Sequence, residues 1–369
     1  MFKKLLIAFL PLLILGEEIV APLSKAPPSS PLPASSASSE KCFLSSSRPC
    51  LEGCETTKWG FFSEITWLYM EPKVDRLPIA LKDDHPDAFI TNVNFPEFKF
   101  KPGFKILFGL HLPRINWDTA WQWSELYSKT QKNLSSNTCQ FLPAYYNEDF
   151  FPYGNSPRFQ RVAAREKLYF NAINWDVGKS IWLTKALSLH IRGGVEGDFI
   201  KQALKVNYDG GNTTSGTTTY RIFSSQEVLN NTSKGAGIRI GFDSKWQTPA
   251  AAFSLLAAPS LAFILTSFNM FQYSRIAALA SDLSGDTYAN SFDKIKEHIW
   301  VVRPNAQIIL GMHFGHCFNG CFLAFSAAYE AHYFWEQNLN RPSHIQRASY
   351  PTKGDLFLHG LNLAFKVEF

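Results

Sequence analysis

Lysines at positions 99, 101 and 105 alternate with phenylalanines in the stretch FKFKPGFKILFGLHL, which covers residues 98–112. Positive side chains on one parity and apolar side chains on the other are typical of an extended chain between an apolar and an aqueous surrounding. Where the aqueous side is a channel, such charges set the ion preference of the passage. A half-buried sheet of a soluble protein would show the same alternation, so the neighbouring elements must decide between the two.

The same parity rule assigns further charged residues to the aqueous face. In residues 235–246, Ile238 and Ile240 alternate with Arg239. A shift of one residue would exchange the two faces, so the register of each segment is strongly specified. The predicted lining residues are Lys99, Lys101, Lys105, Arg192, Glu196, Asp198, Arg239, Asp243, Lys245, Arg303, Glu330, His332 and Lys366.

Together with Glu64, Asp118, Asp176 and Glu368, this set contains as many negative as positive charges. A balanced wall predicts weak ion selectivity, although the cluster of lysines could favour anions on one side. The alternative is that the charges form ion pairs which fill a narrow lumen, because barrels with few strands are filled by side chains.

Catalytic and cofactor chemistry has little support. The sequence contains no G-x-S-x-G elbow, no phosphate-binding glycine loop and no dinucleotide fingerprint. His190, His313 and His332 share the parity of the charged residues instead of lying on a lipid-facing edge. The net charge of +5 is scattered and does not indicate nucleic-acid binding. We therefore expect no enzyme activity, no cofactor and no nucleic-acid partner.

The elements that would position these residues are ten alternating segments. We predict strands at 59–71, 97–112, 116–128, 166–178, 186–204, 235–246, 253–270, 298–314, 321–335 and 356–369. The connections between them alternate between long and short. An even number of strands with long connections at one end and tight turns at the other is typical of outer-membrane barrels. The predicted fold is an all-β, up-and-down antiparallel transmembrane β-barrel of about ten strands (range 10–16), with long outer loops and short periplasmic turns.

One apolar segment and three prolines count against this fold. The segment AAAFSLLAAPSLAFIL, residues 250–265, has 16 residues, whereas a spanning helix needs roughly 20. We predict a strand here, with a buried helix as the alternative. Pro102, Pro259 and Pro304 lie inside predicted strands, and a closed barrel has no free edge to accept them. Each proline therefore indicates a bulge or a strand end.

The N-terminal region predicts export. The basic MFKK precedes the apolar LLIAFLPLLILG, a pattern typical of a signal peptide, which we place at 1–21, with an uncleaved anchor as the alternative. Cleavage could follow Gly16 or Ala21. Residues 22–57 begin with a Pro/Ser-rich stretch that cannot bury a core, and we expect them to be disordered in the periplasm. The barrel is then expected at 58–369.

Four stretches resemble the pore-forming outer-membrane proteins of Legionella and chlamydia-related bacteria, a family similar to the chlamydial major outer-membrane protein. They are WGFFSEITWLYMEP, FKPGFKILFGLHLPRINWDTAWQW, FNAINWDVGKSIWLTKALSLHIRGGVEGDFI and GDLFLHGLNLAFKVEF, at 59–72, 100–123, 170–200 and 354–369. The resemblance implies a general porin without catalytic residues. It also implies that the barrel-assembly machinery recognises the aromatic C-terminal residue, Phe369.

The six cysteines would meet an oxidising environment after export. Cys42, Cys50, Cys54, Cys317 and Cys321 fall in predicted periplasmic segments and are candidates for disulfides, including bonds between chains. Cross-linked envelopes are also what the resemblance implies. The competing interpretation is a metal site formed by Cys317 and Cys321 with His313 and His316, although the spacing matches no standard zinc finger.

The predicted function is passive diffusion of small hydrophilic solutes and ions through a weakly selective porin in the outer membrane of a Gram-negative bacterium. The alternative is a structural or adhesive barrel that is linked by disulfides within the envelope and binds a host surface through its outer loops. The expected partners are outer-membrane lipid, lipopolysaccharide and the barrel-assembly machinery. A homo-oligomer or disulfide-linked envelope proteins are further expectations.

Overall fold

The structure is a computed structural model that describes residues 60–83, 91–112, 117–137, 141–144, 157–184, 186–215, 218–248, 253–282, 285–318, 321–339 and 353–369. All of them belong to the unit Ser46–Phe369. Within these ranges, no helix is long and apolar enough to cross a membrane. The predicted signal peptide and the predicted disordered segment 22–57 lie outside the described residues.

The described residues form thirteen β-strands. They are β1 (Gly60–Val74), β2 (Ala80–Asp83), β3 (Thr91–Asn94), β4 (Lys101–Leu112), β5 (Trp117–Ser135), β6 (Phe141–Pro143), β7 (Arg158–Trp182), β8 (Leu187–Ser215), β9 (Thr218–Gln247), β10 (Phe253–Asp282), β11 (Gly285–Phe318), β12 (Cys321–Leu339) and β13 (Lys353–Glu368). All except β2, β3 and β6 form a closed antiparallel ring, in which β13 pairs with β1 and β7 with β8. The predicted ten-stranded up-and-down barrel is confirmed.

Alternation of exposed and buried side chains follows the ring. Ile238 and Ile240 are 67% and 62% exposed, whereas Arg239 between them is 2% exposed. The outward residues are mainly apolar over a continuous band. We define the membrane-spanning segments by this band: 61–69, 104–112, 117–127, 169–181, 187–199, 236–246, 253–267, 300–314, 323–335 and 357–369.

The long connections differ from the prediction. Residues 205–234 and 271–297 were expected as loops, but they continue β8, β9, β10 and β11 as paired hairpins beyond the band. Val206 and Tyr208 explain this, because both side chains are completely buried on the inner face. The polar residues that alternate with them face water, so the segment has the composition of a loop. The asymmetry between the two ends is therefore mainly one of strand length.

Short strands lie at the end of the barrel that carries the long hairpins, which we call the outer end. β2 pairs with β3 and with β6, and β6 pairs with β7. Ile79 and Ala80 are completely buried there in an apolar cluster that includes Phe159. The Tyr208 hydroxyl donates a hydrogen bond of 2.7 Å to the carbonyl oxygen of Ile79. This contact holds the segment around Ile79 against the barrel wall.

The apolar segment 250–265 lies mainly in β10 and confirms the predicted strand. No register shift occurs at any of the three prolines, so they do not mark bulges. Pro102 and Pro304 each lie one residue beyond the end of a ladder, β4 with β5 and β11 with β12. At Pro259 the pairing with β9 is interrupted without a change of register. A missing backbone donor is tolerated where no ladder bond is required.

The barrel interior as candidate functional site

The predicted lining residues lie on the inner face of the ring with one exception. The inner-face set is Lys101, Lys105, Arg192, Glu196, Asp198, Arg239, Asp243, Lys245, Arg303, Glu330, His332 and Lys366. Lys99 does not belong to it, because it precedes β4 and is exposed. Its neighbour Phe98, expected to face lipid, is instead buried in an interior apolar cluster. The parity holds only within the strand, and the strand begins at Lys101.

Glu330 on β12 is completely buried and has four polar partners. It pairs with Lys105 on β4 and accepts hydrogen bonds from Gln307 (2.9 Å) and Asn362 (2.6 Å). His332 Nε2 lies 2.6 Å from the same carboxylate. A buried charge is stable only when it is paired and hydrogen-bonded, and this cluster meets that condition.

A second cluster joins β7, β8 and β9. Arg239 and Arg192 donate hydrogen bonds of 3.1 and 3.4 Å to Asp176. Arg192 also pairs with Asp243 at 3.2 Å, and Arg239 donates to Gln307 on β11. The two clusters are continuous, because Gln307 also bonds to Glu330. Each charge therefore has a counter-charge within the same network.

The network ends in a His–Asp cluster towards the inner turns. His190 lies 2.9 Å from Asp118 and 3.3 Å from Asp243. At the last inward position of β13, Glu368 pairs with Lys366 at 3.0 Å. Asp118 is buried, whereas the other four groups are part-buried, so the inner mouth of the barrel is polar and partly open to water.

Towards the outer end, polar contacts reach across the lumen. Arg303 on β11 pairs with Asp198 on β8 and also donates a hydrogen bond to Gln337. Asn305 on β11 donates to Glu196 on β8. Two strands separate β8 from β11 in the ring. These side chains therefore join walls that are not neighbours.

An apolar layer lies next to Arg303. The rings of Phe170 on β7 and Phe334 on β12 meet edge to face with their centroids 5.5 Å apart. β7 and β12 stand opposite each other, with four strands between them on either side. The Arg303 guanidinium lies 5.2 Å from the Phe334 ring. The layer consists of Leu68, Met70, Phe98, Leu126, Leu168, Phe170, Ala172, Ile200, Phe334, Leu356 and Leu358.

Inward glycines do not leave open space. A Cβ added at Gly194 would lie 1.9 Å from the carbonyl oxygen of Trp175 on the neighbouring strand. A Cβ at Gly109 would lie 2.0 Å from the Phe62 ring. The inward glycines at these two positions therefore do not widen a passage. They allow close approach of strands and rings instead.

Beyond the membrane-spanning segments, the described part of the interior holds two buried carboxyl groups. Burial raises the pKa of Glu166 to about 8. Neither of its carboxylate oxygens has a hydrogen-bond partner among the described residues. Burial also raises the pKa of Glu227 to about 8, although Ser274 donates a hydrogen bond to it and opposes the shift. Both groups are therefore largely protonated at neutral pH.

Sequence reasoning missed the uncharged members of the network. Asn305, Gln307 and Asn362 have the same parity as the predicted charges and are buried beside them. Amides on that parity were thus a usable signal. Gln337 was harder to find, because the pairing of β12 with β13 shifts between Phe334 and Asn338.

The other predicted sites are only partly described. Cys321 forms no disulfide with another residue of the described part of the chain. Cys42, Cys50 and Cys54 lie outside the described residues, and the side chain of Cys317 is not described, so the disulfides stay predictions. For the competing metal site, His313 faces inward beside Ser326, whereas His316 is exposed two positions from the end of β11.

The aromatic C-terminal residue lies at the inner end of the barrel. The backbone of Phe369 exchanges two hydrogen bonds with Phe61, of 2.8 and 3.2 Å, and its side chain is exposed. An exposed terminal aromatic ring next to the strand that closes the barrel fits the predicted assembly signal. Recognition by the assembly machinery stays a prediction.

An antiparallel ring with an apolar outer band and a polar inner wall is a transmembrane β-barrel. A family model described as the Legionella pneumophila major outer membrane protein precursor matches residues 51–369. The chain belongs to this family, which confirms the resemblance seen in the sequence. It is therefore an outer-membrane protein of a Gram-negative bacterium. The family description names a membrane protein and no enzyme.

Solved structures similar to the chain are also barrels. The outer membrane protease OmpT from Escherichia coli is 9% identical, with a TM-score of 0.37, over 85% of this chain and 97% of that one. A Pseudomonas aeruginosa FadL homologue is 8% identical, with a TM-score of 0.27, over 85% and 90%. The Pseudomonas putida toluene transporter TodX is 8% identical, with a TM-score of 0.23, over 84% and 89%. No curated protein matches the chain.

Proposed function

We propose that this protein is a structural barrel of the outer membrane whose lumen is closed by its own side chains. The parts of β5 and of β7 to β11 that continue beyond the apolar band, called the strand extension, form a rigid outer surface. The observation that carries the proposal is the contact between Phe170 and Phe334, whose rings meet from opposite walls 5.5 Å apart. A diffusing solute would have to separate them.

The layers on both sides of this contact support the same function. On the inner side, Glu330 joins β12 to β4, and on the outer side Ile79 and Phe159 pack in a second apolar cluster. A ten-stranded ring is narrow enough for side chains to fill it. Ion pairs in such a lumen satisfy one another instead of facing a stream of water and ions.

The second candidate is the weakly selective porin predicted from the sequence. It is favoured by the polar inner mouth, where His190, Asp243 and Lys366 are half-buried and within reach of water. The charges of the wall are balanced, so a passage opened by movement of the apolar layer would discriminate weakly between anions and cations.

Single-channel recording in a planar bilayer separates the two candidates. We expect the refolded full chain, shown to be inserted, to give no discrete current steps. The double variant Phe170→Ala/Phe334→Ala, which removes the central contact, should gain conductance. Phe314→Ala, on the lipid-facing side, is the matched control and should stay silent. Discrete current steps from the unaltered protein, with a small reversal potential in a salt gradient, would contradict the closed barrel and support the weakly selective porin.

A further inference from the structure

Five basic side chains form a patch on the outer surface, just beyond the apolar band. The basic patch consists of Lys129 on β5, Arg165 and Lys167 on β7, and Lys201 and Lys205 on β8. All five side chains are exposed. The three strands are consecutive in the ring, so the patch is roughly 10 Å wide.

The strand register places positive charges directly opposite each other. Lys129 pairs with Lys167 across β5 and β7, and Arg165 pairs with Lys205 across β7 and β8. Like charges in directly opposed cross-strand positions destabilise a sheet. Two such pairs side by side are unfavourable for the isolated protein, and an anion between them would remove the repulsion.

No described acidic side chain neutralises the patch. None of its five residues forms an ion pair with a described carboxylate. The outward acidic residues nearest along these strands, Glu125 and Asp209, lie opposite Asn171 and Arg161. Within the described residues, the basic patch therefore has no compensating negative charge and can accept an anionic ligand.

The position of the basic patch relative to the membrane indicates which kind of anionic molecule it would bind. Tyr127 and Tyr169 form the next outward pair towards the membrane, and Lys201 lies opposite Tyr169. Paired tyrosines at the edge of an apolar band mark the membrane–water interface. The basic side chains thus lie at the level of lipid headgroups, where Lys and Arg attract anionic groups.

We propose that the basic patch binds the phosphate groups of lipopolysaccharide in the outer leaflet. Phosphate accepts hydrogen bonds from both Arg and Lys and supplies the missing charge. The acyl chains of the same molecule would lie along the apolar surface that begins at Trp123 and Ile173, beyond the pair of Glu125 and Asn171. The proposal depends on the strand extension facing outward and is independent of whether the lumen conducts.

Unfolding of the refolded full chain, followed by tryptophan fluorescence, tests the proposal with purified lipopolysaccharide in detergent as the probe. The test variant is Lys129→Gln/Lys167→Gln, and the matched control is Lys73→Gln/Lys179→Gln, two exposed lysines outside the patch. We expect lipopolysaccharide to raise the unfolding midpoint of the parent and of the control. The test variant should bind about 25-fold more weakly, yet be at least as stable as the parent without lipid.

Three results would overturn the proposal. Lipopolysaccharide without its phosphates could stabilise the parent equally, which would remove the phosphate contact. Inorganic phosphate alone could reproduce the effect, which would make the site one for free anions. Binding of a soluble sulfated polysaccharide could depend on Lys129 and Lys167 while lipopolysaccharide binding does not. That outcome would indicate that the basic patch binds polysaccharide on a host surface instead of lipopolysaccharide.

Discussion

At the scale of single residues, Glu330 is a buried carboxylate that joins four polar side chains of the inner network. We expect Glu330→Gln to destabilise the barrel by about 3–5 kcal/mol, because Lys105 would remain buried without a counter-charge. Adding Lys105→Met should recover part of the loss, since no unpaired cation remains. The measurement is the urea midpoint of the refolded protein by tryptophan fluorescence.

A substitution in an exposed ion pair is the control, because it removes a carboxylate without leaving a buried charge unpaired. Glu97 pairs with Lys132 at 2.7 Å, and its side chain is 80% exposed. Glu97→Gln should therefore leave the midpoint almost unchanged. Equal effects of Glu97→Gln and Glu330→Gln would contradict the view that burial decides the contribution of the pair.

Glu166 makes the stability of the outer extension depend on pH. Its pKa is about 8 in the folded protein, against 4.5 for the free side chain. The folded state therefore keeps a proton that the unfolded chain releases. This contribution to stability is fully present below about pH 4.5 and is lost as the pH rises towards 8.

Glu166→Gln should accordingly stabilise the protein at pH 8 by about 4 kcal/mol and have little effect near pH 4. Urea midpoints of parent and variant across this range provide the check. Glu125→Gln, at a half-exposed outward position of β5, is the control and should follow the parent. A constant difference between Glu166→Gln and the parent at all pH values would exclude titration of this carboxyl as the cause.

At the scale of elements, a buried hydrogen bond from Tyr208 helps to attach the segment around β2 to the barrel wall. Tyr208→Phe removes the donor to the carbonyl of Ile79 and should weaken this attachment by about 1 kcal/mol. Trypsin should then cut at Arg76 or Lys82 about fivefold faster. Tyr273→Phe, at an outward position of β10, is the control. Unchanged cleavage in Tyr208→Phe would show that packing alone holds the segment.

The strands within the membrane could be predicted because lipid enforces their period. Ile238 and Ile240 must face acyl chains, so Arg239 must face inward. Beyond the band, the outward residues face water, so the difference in polarity between outward and inward residues is smaller. The sequence pattern therefore did not predict the full length of β8 and β9. The same reason explains Lys99, where alternation continues in the sequence although β4 has not yet begun.

The partners of the inward residues could not be predicted. Parity places Lys105 and Glu330 on the inner wall, but β4 and β12 are separated by two strands. Whether they meet depends on the register of every ladder between them. The sequence therefore predicted which residues lie inside, but not that Phe170 and Phe334 would meet across the lumen. Which inward residues meet depends on the curvature and stagger of the ring.

At the scale of the whole molecule, orientation in the membrane follows from the polarity of the two ends. The strand extension carries exposed charges such as Lys205, and its two hairpins are long. The opposite end has short turns and the C-terminal Phe369. Because long polar segments lie outside and short turns inside in outer-membrane barrels, we expect the extension to face the cell exterior.

Two cysteine reporters test this orientation after the six native cysteines are replaced by serine. Ser224→Cys lies on the extension, and Ser180→Cys lies near the inner end of β7; both positions are exposed. A polymer-linked maleimide too large to cross the outer membrane should label Ser224→Cys in intact cells. It should label Ser180→Cys only after the membrane is permeabilised. The reverse pattern would invert the barrel and place the basic patch at the inner leaflet, where lipopolysaccharide is absent.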